Sequence, residues 1–447
     1  MHERPVTLIV SDLHVGGGPA DKGDDHIYHR NQLVEFVRRE AATPEGQQGR
    51  LELFFNGDFL EFAQTNVKAF SHLSDERWCT ELESLSKLET IIAGHRDIFE
   101  ALAAFQGPGN VVTIAAGNHD VDLFWPKVQA RICEVAGKDV NFEIGQDWVE
   151  RYAGKLQIGH GHMSDVANRF VNWQRPIVTG PYGIECLEMC PGTLFMVKFV
   201  NKLEAQYPFA DNLLPVTRLA WVLLGDDKSG FASVGWMFTR LIATTSWAVL
   251  GTGKDDGVGA RLLASVQGSR SRAARLDAIL AELGMNRERQ WLAARSLDQE
   301  QLAALMFALL GRIDEAVWKE LFELGKTGVA LGTDEVTLSA LRQAGKVDGK
   351  QELRDVARRR ARLKEASVVV MGHTHQEDQL DLDGGATYFN PGCWTRYLEL
   401  EAGRQVTLED LKDESKYPYA LNVVRIESNS GALAARMQSI DRYPPSS

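Results

Sequence analysis

Five short apolar runs in this chain, each strand-like, break off into residues of metal-ligand type. Val6–Val10 runs into Ser11-Asp12-Leu13-His14, Leu51–Phe55 into Asn56-Gly57-Asp58, and Val111–Ala116 into Gly117-Asn118-His119-Asp120. Leu156–Ile158 leads to Gly159-His160-Gly161-His162, and Val368–Met371 to Gly372-His373-Thr374-His375. Such runs read as buried strands, and polar side chains at the ends of neighbouring strands can converge on one point. Between the second and third runs, Arg77–Phe105 carries Leu82, Leu85, Leu88, Ile91 and Ile92 at helical spacing. It reads as a pair of helices on the outside of the sheets.

The residue types narrow the chemistry. A single Asp-x-His pair carries little information, but five such endings in one chain point to a two-metal hydrolase. Carboxylate oxygens and neutral imidazole nitrogens suit Mn, Fe and Zn, and the lack of a Cys ligand cluster argues against a thiolate site. Two ions roughly 3.5–4 Å apart need a carboxylate that bridges them. Asp58, alone after its glycine on a central strand, is the natural bridge. Gly57, Gly117, Gly159 and Gly372 are expected to let the backbone turn sharply at each strand end. His373 and His375, two residues apart on an extended turn, face the same side.

In this order the motifs resemble the calcineurin-like metallophosphoesterases: Asp-x-His, Gly-Asp, Gly-Asn-His-Asp, a later His and Gly-His-x-His. The likeness covers residues 1–175 and 367–447. It implies one metal on Asp12, His14, Asp58 and His375, and a second on Asp58, Asn118, His160 and His373. It also implies that His119 protonates the leaving group or stabilises the transition state, with Asp120 orienting it. Tyr388-Phe389-Asn390-Pro391-Gly392-Cys393-Trp394 resembles the closing Asn-x-Gly-x-Trp strand ending of the family.

The fourth motif offers two histidines where the family uses one. His160, followed by Asp165 and Asn168, resembles a bacterial subgroup with long helical inserts, distantly similar to the lipid A precursor pyrophosphatases. The ligand role therefore goes to His160, and His162 faces the substrate or stands behind the ligands. Asp165 and Asn168 either contribute to the site or cap the following turn. Glu61 matches a frequent family acid but reads equally well as a solvated helix-start residue. His2, His72 and His95 fall outside any ligand pattern; so do His26 and His29, although they follow the first motif closely enough to line the cleft.

A long gap separates His162 from the last motif, which implies an inserted domain over residues 176–366. Its first part, to Gly253, is rich in Trp, Phe, Leu and Met, and Gly230–Leu250 is nearly apolar except for Arg240. A membrane span needs about 20 residues almost free of charge. The segment reads instead as a buried cap helix, or as an apolar surface meeting lipid or a lipid-like substrate. From Ser269 to Ala366 the pattern is that of a helical bundle, with helices over Arg275–Leu283, Asp298–Leu310, Glu315–Leu324 and Glu335–Ala344. The last helix carries Arg354, Arg358, Arg359, Arg360, Arg362 and Lys364, either a solvated face or a basic rim for an anionic substrate.

Composition adds limits. At 447 residues, 44% hydrophobic and 25% charged, the chain is long enough for a large core and more than one domain. Five cysteines without a paired framework suit a reducing compartment, and Cys186 and Cys190 at helical spacing read as packed thiols. The first residues enter a strand directly, so no signal peptide is expected, and the location should be cytoplasmic or peripheral to the membrane. A formal net charge of −12 argues against broad nucleic-acid binding.

Together these features give an α/β fold, expected to be a four-layer α/β/β/α metallophosphoesterase sandwich with a large helical insertion as a cap. The activity implied is phosphoester hydrolysis by in-line attack of a metal-bound hydroxide, on a diester or pyrophosphate with a bulky or lipidic group. Two divalent or trivalent ions are expected: Mn first, with Fe, Zn, Ni or Mg as alternatives. Competing readings are a nuclease or cyclic nucleotide phosphodiesterase, and a non-catalytic interaction module. Asn118 and His119, whose loss would mark such a module, are both present.

Overall fold

A computed structural model describes residues 3–21, 23–65, 79–165, 168–180, 183–190, 192–193, 196–204, 206–214, 350–399, 407–429 and 432–445. The chain divides into two compact units: residues 1–193, 348–397 and 416–447, and residues 194–347 with 398–415. The proposed insert helices between Arg275 and Ala344, and the apolar segment Gly230–Leu250, lie outside the described residues. Among the described residues, no helix is long and apolar enough to cross a membrane.

The first unit is built on two mixed sheets. Six strands form one, in the spatial order Ala432–Tyr443, Tyr419–Asn429, Val6–Val10, Leu51–Asn56, Val111–Ala115 and Val140–Glu143. The last four run parallel, and the two long C-terminal strands join antiparallel. The other sheet has five strands: Asp378–Asp381, Thr387–Asn390, Val368–Val370, Leu156–Ile158 and Val149–Arg151. Its three central strands are parallel.

Sequence explains why these strands are central. Val6–Val10, Leu51–Asn56, Leu156–Ile158 and Val368–Val370 are buried at every position, as expected of strands covered on both faces. One face of each sheet contributes to a shared core, where Ile9, Phe54, Ala115, Val424 and Ile426 pack with Leu156, Ile158, Val368, Val370 and Phe389. Fully burying a side chain of this kind stabilises by about 1.5–3 kcal/mol.

Helices cover the outer faces. Thr80 and Glu83 form a reciprocal capping box that starts Glu81–Gly94, and a break at His95 leads into Arg96–Gln106. The latter turns Ile98, Phe99, Leu102 and Phe105 inward. On the second sheet, the helix Lys350–Lys364 lays Leu353, Ala357 and Ala361 against Val369, Met371 and Tyr388. Four-residue spacing and two alanines let it sit close to the strands. This helix thus packs in the first unit, not in the insert as its position before the last motif suggested.

The same packing pairs five of the six basic residues singled out on this helix with acids. Arg354 holds Asp378 through two hydrogen bonds of 2.7 and 2.8 Å, and Arg360 bonds Glu150 and Gln157. Arg358, Arg362 and Lys364 pair with Asp355, Asp383 and Glu150. Cys186 also departs from its expected setting: it lies in the short strand Glu185–Leu187, so the spacing to Cys190 is not helical.

Candidate metal centre

Parallel pairing brings the motif-bearing strand ends together. Val10 sits beside Phe55, Asn56 beside Ala115, and Val370 beside Ile158, so each chain leaves its sheet on the same side as its neighbour. Backbone bonds then tie the loops to one another. Asp12 and His14 donate their N–H groups to Gly57 and Asp58 carbonyls, and Gly372 donates to His160.

The loops are held in unusual conformations. Asp12, His14, Asp58, His373 and His375 all adopt positive φ, between 49° and 71°. Non-glycine residues rarely take up this region, and such outliers gather at functional sites. Gly57 has φ +80°, as the expected sharp turn requires. Gly117 answers to space instead: a Cβ there would collide with the Asp58 carboxylate and lie 2.7 Å from the Asp58 nitrogen.

Buried Asp and His side chains form groups that can hold a metal ion. Asp12, His14 and His375 make one, Asp58, His160 and His373 another, and His14, Glu61 and His119 a third. In the first, His14 Nε2 lies 2.9 Å from His375 Nε2, while His375 Nε2 is 3.6 Å from Asp12 Oδ1. Ser11 Oγ donates to Asp12 Oδ2 at 2.5 Å, and the His373 backbone N–H donates to both Asp12 oxygens. In the second, His160 Nδ1 faces the Asn56 carbonyl at 2.8 Å, which turns Nε2 inward. That Nε2 lies 3.1 Å from Asp58 Oδ2 and 4.0 Å from Asp12 Oδ1, so the two groups abut.

Two buried donor atoms support a cation here. Asn118 Oδ1 is buried with no hydrogen-bond partner, and His160 Nε2 has only the Asp58 carboxylate beside it, outside hydrogen-bond geometry. A buried polar atom left unpaired costs about 1–3 kcal/mol. A shared cation removes that cost, and the nitrogen and oxygen donors fit a first-row divalent ion.

The two histidines of the fourth motif separate clearly. His160 reaches the acids, whereas His162 is 2% exposed with neither nitrogen hydrogen-bonded, its ring edge-on to Trp173 at 4.3 Å. Burial, then the nearby His160, holds the His162 pKa well below its ordinary value. His162 is a buried ring packed between Trp173 and His160. Asp165 and Asn168 join the site: Asp165 Oδ2 meets His373 Nε2 at 3.2 Å, and Asn168 Oδ1 accepts from Asn118 Nδ2 at 3.3 Å.

Asp120 does not orient His119. Its carboxylate accepts the backbone N–H groups of Gly117 at 2.6 Å, Asp58 at 3.4 Å, Phe59 at 2.9 Å and Leu60 at 3.5 Å. It clamps the two candidate ligand loops together through their backbone. The carboxylate at His119 belongs to Glu61, whose Oε2 lies 2.7 Å from His119 Nδ1 and 2.7 Å from His14 Nδ1. Glu61 is buried, not solvated. Burial opposes its charge, but His119 and His14 hold its pKa down at about 2. Burial likewise opposes a charged His119, yet Glu61 and Asp58 push its pKa up to about 10. The Gly57-Asp58-x-x-Glu61 spacing was the signal in the sequence, and it left the acid and the surface readings equal.

His26, His29 and His95 stand outside the three cation groups. All three are fully buried. Asp24 pins the loop after His14 by accepting from Gly16 and Gly18 backbone N–H groups and from His95 Nε2 at 2.5 Å.

In comparison with known proteins, no family model and no curated protein matches this chain.

Proposed function

We propose that the chain is a calcineurin-like metallophosphoesterase, a four-layer α/β/β/α sandwich whose helical insert caps a dinuclear centre. The observation that carries this reading is the pair of abutting Asp/His groups, together with a buried, unpaired Asn118 Oδ1. Asp12, His14, Asp58 and His375 would hold one ion, and Asp58, Asn118, His160 and His373 the other, with Asp58 between them. When bound, two such ions supply Lewis acidity toward phosphoryl oxygens and a water of lowered pKa.

The protein's own part follows from its hydrogen bonds. Glu61 takes His119 Nδ1, which leaves Nε2 as the nitrogen facing the reacting group. Protonated His119 is then placed to give its proton to the departing oxygen. Asp120 fixes the spacing of the Asp58 and Asn118 loops through backbone N–H groups alone. The favoured substrate is a diester or pyrophosphate with a bulky apolar portion, for which the Trp- and Phe-rich insert sequence is the support. Mn is the preferred ion, with Fe, Zn, Ni and Mg as alternatives.

The test is a panel of chromogenic mono- and diesters and a pyrophosphate, run on chelated protein reloaded with Mn, Mg, Zn or Ni. Hydrolysis that requires added metal supports the reading. A protein that binds metal yet turns over none of the panel favours an interaction module.

A further inference from the structure

His373, a member of the second cation group, and Asn118, proposed above as its fourth ligand, follow strand ends far apart in the chain, yet a short series of hydrogen bonds joins their side chains. His373 Nε2 lies 3.2 Å from Asp165 Oδ2. The same oxygen accepts from Asn168 Nδ2 at 3.0 Å, and Asn168 Oδ1 accepts from Asn118 Nδ2 at 3.3 Å. Asp165 and Asn168 lie just past His160, with Asp165 N–H bonded to the His162 carbonyl and Asn168 N–H to that of Asp165. Residues 160–168 therefore carry one member of the group and the outer partners of two more.

Each bond in the series has a directional consequence. An amide has one donor end and one acceptor end. With its Nδ2 committed to Asn168, Asn118 must present Oδ1 on the other side, and that atom is buried with no partner. A neutral imidazole donates from one nitrogen and accepts at the other. With Nε2–H held by Asp165, the His373 lone pair resides on Nδ1. Carboxylates behind a ligating imidazole fix its tautomer and ring angle in this way.

Resting on the dinuclear reading above, we propose that Asp165 and Asn168 form an outer clamp that orients His373 and Asn118 and so governs binding of the second ion. The side chains of Asp12, His14 and His375 bond Ser11, Glu61, one another and the His373 backbone N–H, so the clamp acts on the second ion first, through the His373 and Asn118 side chains. The segment leading into the insert thus controls whether the centre holds one ion or two.

The experiment is a Mn titration of chelated full-length protein, followed by calorimetry and by elemental analysis after desalting. Wild type, Asp165→Asn and Asn168→Ala are compared. The clamp predicts that both variants bind the tighter ion as wild type does, while the weaker Kd rises by about 10–100-fold. Far-UV circular dichroism and the melting temperature of the metal-free proteins confirm that each variant folds; Asn168→Ala changes no charge and serves if Asp165→Asn is unstable. Unchanged binding of both ions in both variants overturns the clamp. A loss in Asp165→Asn with none in Asn168→Ala also overturns it, because Asp165 would then act on the ion by itself. Wild type that binds fewer than two ions removes the dinuclear reading, and the clamp with it.

Discussion

His119 Nδ1 and His14 Nδ1 share a single acceptor, Glu61 Oε2, at 2.7 Å from each. The two rings meet edge to face with centroids 4.8 Å apart. One buried carboxylate thus sets the direction of a candidate metal ligand and of the candidate proton donor together.

Glu61→Gln should therefore disturb both. An amide oxygen can still accept both N–H groups but cannot offset the charge on His119. Metal affinity and turnover should each fall by about 10–100-fold, the scale for loss of a carboxylate behind a ligating histidine. Metal titration beside steady-state kinetics checks this. Wild-type values for both would show that Glu61 is only a packing residue.

His119→Ala should keep its metal content and lose about 10²–10⁴-fold in kcat. The loss should shrink with nitrophenyl esters, whose leaving group needs little protonation. An equal loss on good and poor leaving groups would assign His119 some other task.

Asp58→Asn should strip metal and activity together. Asp58 is the carboxylate nearest His160 Nε2 and its loop carries the backbone bonds to Asp12 and His14. A neutral amide cannot counter two dications. Elemental analysis showing two metals per chain in the variant would refute the bridge.

Acid should destabilise the fold through His26 and His29. Burial, then the neighbouring His95, pulls the His26 pKa down to about 3; burial, then Arg396, does the same for His29, also to about 3. His26 faces Asp24, His95 and His29, and His29 faces Arg396 and the Tyr419 ring at 4.6 Å. Unfolded, both titrate near pH 6.5. Between these values the unfolded chain binds more protons than the folded one. Stability is therefore full above about pH 6.5 and falls as pH drops toward 3, by up to about 1.4 kcal/mol per unit for each histidine. His29→Phe should flatten that slope, losing about 1–2 kcal/mol less than wild type between pH 7 and pH 5 in urea unfolding. Parallel slopes would show that His29 titrates normally.

Gly117→Ala should destabilise by about 1–3 kcal/mol, the usual range for forcing extra volume into a packed site. The new Cβ would displace the Asp58 carboxylate, so metal affinity should drop as well. Chemical denaturation of the metal-free protein measures the first effect and metal titration the second; a variant that matches wild type in both would show that the loop yields freely.

The donor set was legible in the chain because each ligand follows directly on its own apolar strand, and strand-then-ligand is a local pattern. Asp12, His14 and His375 come together in the structure, as do Asp58, His160 and His373, since parallel pairing delivers the strand ends of each sheet to the same side. The roles of their neighbours were not legible. Asp120 is adjacent to His119 in the chain, yet its carboxylate turns to the backbone of Asp58, Phe59 and Leu60, while Glu61 crosses from another loop to the imidazole. His162 looks like His160 in sequence but meets Trp173 where His160 meets Asp58. The arginines of Lys350–Lys364 read as a free positive surface until the acids of the adjoining strands and turns lie against them. A side chain's chemistry is a property of its residue, but its hydrogen-bond partner is whatever lies across the gap, and only packing of strands, helices and loops decides that.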